Sequence, residues 1–471
     1  LIVGTGSDIE SLRRGRIVVF DEGADLGRRP SDARHGTSVV LADRTVSALH
    51  ARISYQENGY VIEDVGSTNG TTVDGRAVAG SPALLREGAV LFLGAHVLVF
   101  RTVTASERAA IEADLAEPLA PVPTLSPALA LVCAKLRKLA PSTTELFLVG
   151  ETGVGKEVFA GAIHSHSGRN GPLVAINCAA LPRELMESEL FGYERGAHST
   201  AKNSKEGLIE TASGGTLFLD ELGEMPLDGQ GKLLRFIQDR TYLPIGATRT
   251  RTADVRILAA SSRAATGTAA IQAALLGRLG AEPINLPALR DRIEDIGQLV
   301  FHFLSHAKRR RGFSDDAFQA LFLHSWPLNV RELEKVVSEA ELLSRDADVI
   351  DCEHLPSAIV DALARDLGPG RFGASASAAP PNPEPKSPPR ERRPVPGPDE
   401  LRALLGKYRG NVAHVAKHLD RQWAVIWRTL RRQGIDPNAY RDAGEGDGGC
   451  AEHETETPEA TLDKREDDRS S

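Results

Sequence analysis

The chain has 471 residues, enough for two to four domains that each bury a core, and its 25% charged and 41% hydrophobic residues describe an ordinary soluble protein. No apolar run is long enough to span a bilayer and no signal peptide is recognisable, so a membrane protein is excluded and a cytoplasmic location is expected. The four cysteines (Cys133, Cys178, Cys352, Cys450) lack metal-ligand spacing and are expected to be reduced thiols, and the formal charge of −8 is unevenly spread.

Residues 10–102 predict an all-β sandwich. Alternating runs such as Arg16-Ile-Val-Val-Phe20, Ala51-Arg-Ile-Ser-Tyr55, Tyr60-Val-Ile-Glu63 and Val90-Leu-Phe-Leu93 are split by Gly, Asn and Asp turns, and no helical period appears. Residues 103–124 carry a short Ala/Glu helical pattern and then Pro118, Pro121 and Pro123, which predicts a linker. From 125 to 362 strands alternate with helices, as in a parallel sheet flanked by helices, and past Arg290 only helical patterns remain, a predicted lid. Residues 363–398 are rich in Pro, Ala, Ser and Gly and predict a disordered tether. Residues 399–440 form a small basic module, with eight Lys/Arg against two Asp from 401 onward; residues 441–471, with eleven acidic against four basic residues, predict a disordered tail.

In the sandwich, Gly27-Arg28, Ser47-Ala-Leu-His50, Gly66-Ser-Thr-Asn69-Gly70-Thr71 and Asp74-Gly75 stand out. An arginine fork, a hydroxyl and an amide brought to one end would suit a phosphate together with its peptide backbone. The pattern resembles the forkhead-associated (FHA) domain, a reader of phosphothreonine peptides. The resemblance implies that Arg28 and Ser47 bind phosphate, that Asn69 holds peptide backbone and that His50 braces the loops. Ala48 stands where that family often has Arg. Turn residues of a domain that docks without phosphate would give the same pattern, since Asn-Gly is also a common hairpin turn.

The central segment carries a nucleotide motif in two halves. Gly150-Glu-Thr-Gly-Val-Gly-Lys156-Glu157 fits the phosphate loop, between an apolar strand (Leu146 to Val149) and a helical pattern through Val158 and Ile163. Its backbone N–H groups would cradle phosphate oxygens at a helix N-terminus, and Lys156 would reach the outer phosphates. Thr216-Leu-Phe-Leu-Asp220-Glu221 is an apolar strand ending in two carboxylates, suited to holding Mg²⁺ and orienting the attacking water.

These motifs resemble the AAA+ module of bacterial enhancer-binding activators that work with the sigma-54 form of RNA polymerase. The resemblance extends through Val174-Ala-Ile-Asn177, Leu286-Pro-Ala-Leu-Arg290-Asp-Arg292 and Trp326-Pro-Leu-Asn-Val-Arg331-Glu. It implies that Gly150, Glu151, Thr152, Gly153, Val154, Gly155, Lys156, Glu157 and Arg331 surround ATP, that Asp220 holds Mg²⁺, that Glu221 polarises water, and that Asn177 restrains Glu221 in a switch. Read without the family, Arg331 is a helix-start cation that could equally serve a surface ion pair. The resemblance further implies that Arg278 reaches the neighbouring subunit's phosphate in a ring, a hexamer built from dimers.

Four positions depart from that family. The loop that touches the sigma factor, G-A-F-T-G-A in the family, is Gly196-Ala197-His198-Ser199-Thr200-Ala201, losing the aromatic probe and the hinge glycine. The first sensor is Ser261-Ser262 rather than Thr-Asn. Gln272 replaces the first of two arginine fingers, and Leu328 replaces a glycine. Either the ring still hydrolyses ATP and engages the sigma factor, or ATP binding persists while turnover and sigma-54 contact are weakened.

In the C-terminal module Val412, Val415, Ala416 and Leu419, then Trp423, Ile426, Trp427 and Leu430, repeat at helical spacing with a turn between, as in a helix-turn-helix. The second helix is expected to present Gln422, Val425, Arg428, Thr429 and Arg432 to the major groove; a solvated helix surface is the alternative. The segment resembles the Fis-type DNA-binding domain of the same activators. Together the sequence predicts a multidomain protein: an all-β FHA sandwich, an α/β AAA+ phosphate-loop core with helical lid, and a small all-α helix-turn-helix. Its expected partners are DNA at upstream activator sites, RNA polymerase with sigma-54, a phosphothreonine protein and further copies of itself. The contrasting reading is an ATP-binding scaffold that links phosphoproteins to DNA without cycling.

Overall fold

The computed structural model describes residues 2–6, 16–30, 37–78, 80–197, 203–262, 271–280, 282–305, 311–366, 397–408, 412–419, 426, 429–430 and 433–440. The chain divides into two compact units, Leu1–Pro383 and Glu384–Ser471.

The first unit opens with the expected sandwich. A six-stranded sheet has the spatial order Arg16–Val18, Ile2–Gly6, His96–Phe100, Val90–Leu93, Thr71–Val73, Arg76–Ala77; a five-stranded sheet has the order Thr37–Val40, Gly23–Gly27, Ala51–Gln56, Gly59–Asp64, Ala83–Leu84. The period-2 pattern turns Leu26, Ile53 and Ile62 of one sheet and Leu91, Leu98 and Phe100 of the other into one shared core. The sandwich starts earlier than residue 10: Ile2–Gly6 pairs with both His96–Phe100 and Arg16–Val18. That strand is too short, and too glycine-bound, to show an alternating pattern of its own.

Residues 103–124 are built into the unit. The helix Ala105–Ala116 opens with a capping box, in which Thr104 Oγ1 accepts from Glu107 N (3.3 Å) and the Glu107 carboxylate accepts from Thr104 N (2.7 Å). Its Ala110 and Ile111 pack with Leu125 and Ala130 of the ATPase side and against Ile17 and Val19 of the sandwich. The buried Asp114 accepts from Leu119 N (3.2 Å), Thr124 N (2.9 Å) and Arg137 Nη2 (2.8 Å), which pins the proline segment at both ends.

The core of the central domain is a parallel sheet of spatial order Leu173–Asn177, Thr216–Asp220, Arg256–Ser261, Leu146–Val149, Ile284–Asn285. Helices cover both faces, so its strands read as unbroken apolar runs. Leu146, Leu148, Phe218 and Leu258 face Phe159 and Ile163 of the helix Lys156–Ser165. Phe147, Val149, Leu217 and Leu219 face Leu233 and Phe236 of the helix Leu227–Asp239. The lid follows as the helices Ile296–Leu304, Asp315–Leu323, Asn329–Leu343 and Ser357–Asp366.

The second unit holds the helices Pro398–Lys407 and Val412–His418; of the apolar positions the sequence predicts, Val412, Val415, Ile426 and Leu430 are buried, together with Leu401, Leu405 and Ile435. Thr429 is a correction: it is only 8% exposed rather than outward-facing. It stands three residues after Ile426 and one before Leu430, inside the arc that helical geometry turns to the core. Gln422, Val425, Arg428 and Arg432 lie outside the described residues, as do Trp423 and Trp427. Among the described residues no helix is long and apolar enough to cross a membrane, and Cys133, Cys178 and Cys352 are free and buried.

Candidate functional site

The strand Leu146–Val149 delivers the chain into the glycine turn, and Gly150 N is tied back to Ser261 O at 3.2 Å. Gly155 starts the helix Lys156–Ser165 in the left-handed conformation (φ 106°). Gly153 is also left-handed (φ 81°), and a β-carbon there would stand 2.2 Å from Leu328 O, so the lid closes directly on the loop's backbone. Lys156 is buried beneath the loop; its Nζ donates to Gly150 O (3.0 Å) and lies 3.4 Å from Glu221 Oε1. The two halves of the motif, about 65 residues apart in sequence, thus meet at one ion pair.

The carboxylates at the strand end are in different electrostatic states. Burial, with help from neighbouring Glu221 and Glu157 and against the pull of Lys156, pushes the Asp220 carboxyl above the usual range. For Glu221 burial acts in the same direction but is outweighed: Ser262 N (3.0 Å) and Ser262 Oγ (2.9 Å) donate to its Oε2, and together with Lys156 they hold its carboxyl below the usual value. Glu221 adopts a left-handed backbone (φ 52°), which carries its side chain to the end of the strand Arg256–Ser261. Asn177, on the strand at the other side, is not brought onto Glu221; its Oδ1 accepts from Ala179 N at 2.9 Å. In this arrangement the hydrogen bonds to Glu221 come from Ser262, a residue the sequence marked only as a departure.

Two loop side chains are committed to other parts of the fold. Val154 is buried in the core beneath the loop, and Glu151 forms a bidentate pair with Arg290 (Nη1 to Oε2 2.8 Å). The Arg290 guanidinium, with Asn329 assisting, holds the Glu151 carboxyl down to about 2. Thr152 and Glu157 are exposed. Asn329 was missed by the sequence reading. It is fully buried with a left-handed backbone (φ 58°), donates from Nδ2 to Thr152 O (3.0 Å) and accepts from Leu289 N at Oδ1 (2.8 Å). Asn tolerates that conformation better than most side chains, the one signal available in Trp326-Pro-Leu-Asn. Leu328, the residue in place of a glycine, has φ −104° and needs no glycine. Arg331 N lies 3.3 Å from Gly153 O, which puts the exposed Arg331 side chain at the mouth of the loop.

Arg278 ends the helix Ala273–Arg278 and is exposed. Gln272 stands just before that helix and is turned inward: its N donates to Gln230 Oε1 (2.9 Å) and its Nε2 to Leu227 O (3.0 Å), so its side-chain amide is engaged within its own subunit. Of the sigma-factor loop, Gly196 (φ 84°) and Ala197 are described; His198, Ser199, Thr200 and Ala201 lie outside the described residues. The loop's base is braced by Arg251, which pairs with Glu194 (2.7 Å) and Glu210 (2.7 Å).

At the end of the sandwich Arg28, Ser47 and Asn69 are gathered as expected. Gly27 approaches so closely that a β-carbon would stand 2.2 Å from Ala48 O, and Arg28 N donates to Ser47 O at 2.9 Å. Ser47 Oγ accepts from Thr68 N (3.1 Å), and Asn69 Nδ2 donates to Thr45 O (2.7 Å). His50 is fully buried between the two loops; its Nδ1 accepts from Ser47 N (3.1 Å), so Nε2 carries the proton toward Gly70 O (3.3 Å). Burial holds this imidazole below its ordinary pKa. The Arg28 side chain is exposed.

Three family profiles match the chain: "FHA domain" at residues 25–94, "Sigma-54 interaction domain" at 123–281 and "AAA+ ATPase lid domain" at 290–367. The transcriptional regulatory protein GlrR of Escherichia coli K12 is 37% identical over 328 residues, 68% of this chain and 69% of that protein. The alginate biosynthesis transcriptional regulatory protein AlgB of Pseudomonas aeruginosa is 45% identical over 239 residues, 49% of this chain and 53% of that protein. Among solved structures, NtrX from Brucella abortus in complex with ATP is 28% identical, covering 70% of this chain and 73% of that one with a TM-score of 0.47. The chain belongs to the family of sigma-54-interacting transcriptional regulators, with an FHA domain at its front and an AAA+ lid behind the sigma-54 interaction domain.

Proposed function

We propose that the protein is an ATP-hydrolysing, DNA-binding regulator of sigma-54 transcription whose FHA domain reads a phosphothreonine protein. The observation that carries the reading is the assembled phosphate loop, with buried Lys156 between Gly150 and Glu221. Loop N–H groups from Gly150 to Lys156 and the helix N-terminus would take the phosphate oxygens, Lys156 would move onto the outer phosphates, and Arg331 would add charge from the lid. Asp220 fits Mg²⁺: a half-buried hard oxygen donor, held above its usual pKa among other carboxylates, gains from a nearby cation. Bound there, Mg²⁺ would offset charge on the phosphate oxygens. Glu221, whose carboxylate is stabilised by the Ser262 donors, would accept a hydrogen bond from the attacking water.

Arg278, exposed at a helix end, would reach a neighbour's phosphate in a ring of six copies. The FHA loops would bind phosphate through Arg28 and Ser47 and peptide backbone through Asn69. The C-terminal module would pair as a dimer on upstream DNA through Gln422, Arg428 and Arg432, with Val425 on a base edge. The cytoplasm is the compartment in which such a regulator works. Phosphate release by the full chain, compared with Lys156→Ala, tests the core reading; equal release by the two would remove it.

The inward commitment of Gln272 supports a second reading, an ATP-binding regulator with weakened turnover and weakened sigma-54 contact. One arginine finger can supply about 10³-fold in rate. Gln272→Arg combined with His198→Phe would then raise turnover and sigma-54 capture, and no change in either would leave the fully active reading standing.

A further inference from the structure

Residues 289–295 touch every part of the first unit. Leu289 N is bonded to Asn329 of the lid, Arg290 grips Glu151 of the phosphate loop, and Arg292 Nη2 donates to Val154 O of the same loop at 2.7 Å. Asp295 accepts from Thr124 Oγ1 (2.8 Å) and Leu125 N (2.7 Å), where the linker meets the ATPase. Between these, Glu294 points at the sandwich. Its side chain is 0% exposed and receives Arg101 Nη2 at 2.8 Å and Arg101 Nε at 3.2 Å, while Arg101 Nη2 also reaches Asp291 O at 2.9 Å. Arg101 directly follows the sandwich strand His96–Phe100. A second contact joins the same bodies: Gln319 Nε2 of the lid donates to Gly94 O of the sandwich at 3.4 Å.

We infer that Arg101 of the sandwich is a positioning residue for the nucleotide loop: its ion pair with buried Glu294 keeps Arg290 and Arg292 seated on Glu151 and Val154. The inference rests on the reading of that loop as an ATP site. The chemistry is specific. Glu294 is too buried to be solvated by water if Arg101 is lost, and a buried carboxylate without a cation is strongly unfavourable. A buried cation two residues along the same segment, Arg292, has an Nε without a hydrogen-bond partner and is the replacement the chain offers. Recruiting it would draw its guanidinium off Val154 O and loosen the loop. The nucleotide site is therefore completed by a residue that lies outside the ATPase domain.

The test is a thermodynamic cycle on the full chain, with a fluorescent ATP analogue as probe and Lys156→Ala as the control that defines site-specific binding. Arg101→Met is expected to weaken binding about tenfold, within the range usual for coupled sites. Glu294→Gln removes the charge that needs a partner, so the double variant is expected to bind within about twofold of the wild type. In turnover, Arg101→Met should raise KM, with any fall in kcat accompanying that rise, because the loosened loop holds the same phosphates in the ground and transition states. Unchanged affinity in a folded Arg101→Met protein, a double variant as weak as the single one, or a loss confined to kcat would each overturn the inference. Should Arg101→Met fail to fold, Arg101→Gln, which removes the charge but keeps a polar side chain, replaces it; wild-type affinity in that variant counts against the inference and weaker binding rescued by Glu294→Gln supports it. A wild type that binds no more tightly than Lys156→Ala would instead remove the ATP reading, and the inference with it.

Discussion

At the scale of single residues, backbone conformation and burial set the chemistry. Gly153 needs both its positive φ and its missing β-carbon, because Leu328 O occupies the space a side chain would fill. Gly153→Ala is expected to cost about 2 kcal/mol, the usual size of a strained backbone residue, and to weaken nucleotide binding, read by chemical denaturation and analogue titration. His50 links the two FHA loops as a neutral ring. Its folded pKa lies below the unfolded value of 6.5, so its contribution to stability is present above pH 6.5 and is lost as pH falls through the folded value. The melting temperature of the wild type should accordingly fall more steeply between pH 7 and about pH 5 than that of His50→Gln, which cannot gain the proton.

At the scale of elements, the segment between the sandwich and the ATPase behaves as a strut. The buried Asp114 satisfies two backbone N–H groups and one guanidinium at once. Asp114→Ala would leave Leu119 N and Thr124 N without an acceptor, and an unsatisfied buried donor costs about 1–3 kcal/mol. The expected result is a lower midpoint of denaturation together with faster proteolysis around residues 117–123, whereas a surface change such as Glu112→Ala, in an exposed i,i+4 pair, should alter neither. Helix contacts also explain how Arg256, buried under the sheet, is accommodated: its guanidinium donates to Leu139 O (3.0 Å), Ala140 O and Thr144 O (3.0 Å), closing the end of the helix Pro127–Leu139.

At the scale of the whole molecule, the proposed ATPase divides one active site between two copies. In that proposal the paired Lys156 and Glu221 would serve a chain's own nucleotide, and the exposed Arg278 a neighbour's. Lys156→Ala and Arg278→Ala should each lose nearly all turnover alone. Mixed in equal amounts they should recover a measurable fraction, since an Arg278→Ala site can borrow the arginine of a Lys156→Ala neighbour. Steady-state phosphate release across mixing ratios checks this, and a flat zero line would mean that Arg278 acts within its own chain.

Local patterning alone determined the sandwich, the parallel core and the helical lid. Alternation, unbroken apolar strands and 3.6-residue repeats are written in neighbouring residues, and the phosphate loop is recognisable because its glycines and lysine are contiguous. The gathering of Arg28, Ser47, His50 and Asn69 was legible for the same reason, each lying in a short motif. Local patterning failed for Thr429, where a polar residue on a helix was read as outward although its spacing to Ile426 turns it in. Tertiary structure alone decided that Ser262 rather than Asn177 holds Glu221, that Gln272 is spent inside its own subunit, and that Arg101 meets Glu294 nearly two hundred residues on. No periodicity encodes those pairings. They follow from burying charged and polar groups whose partners arrive from distant strands, where an unpaired group is too costly to keep.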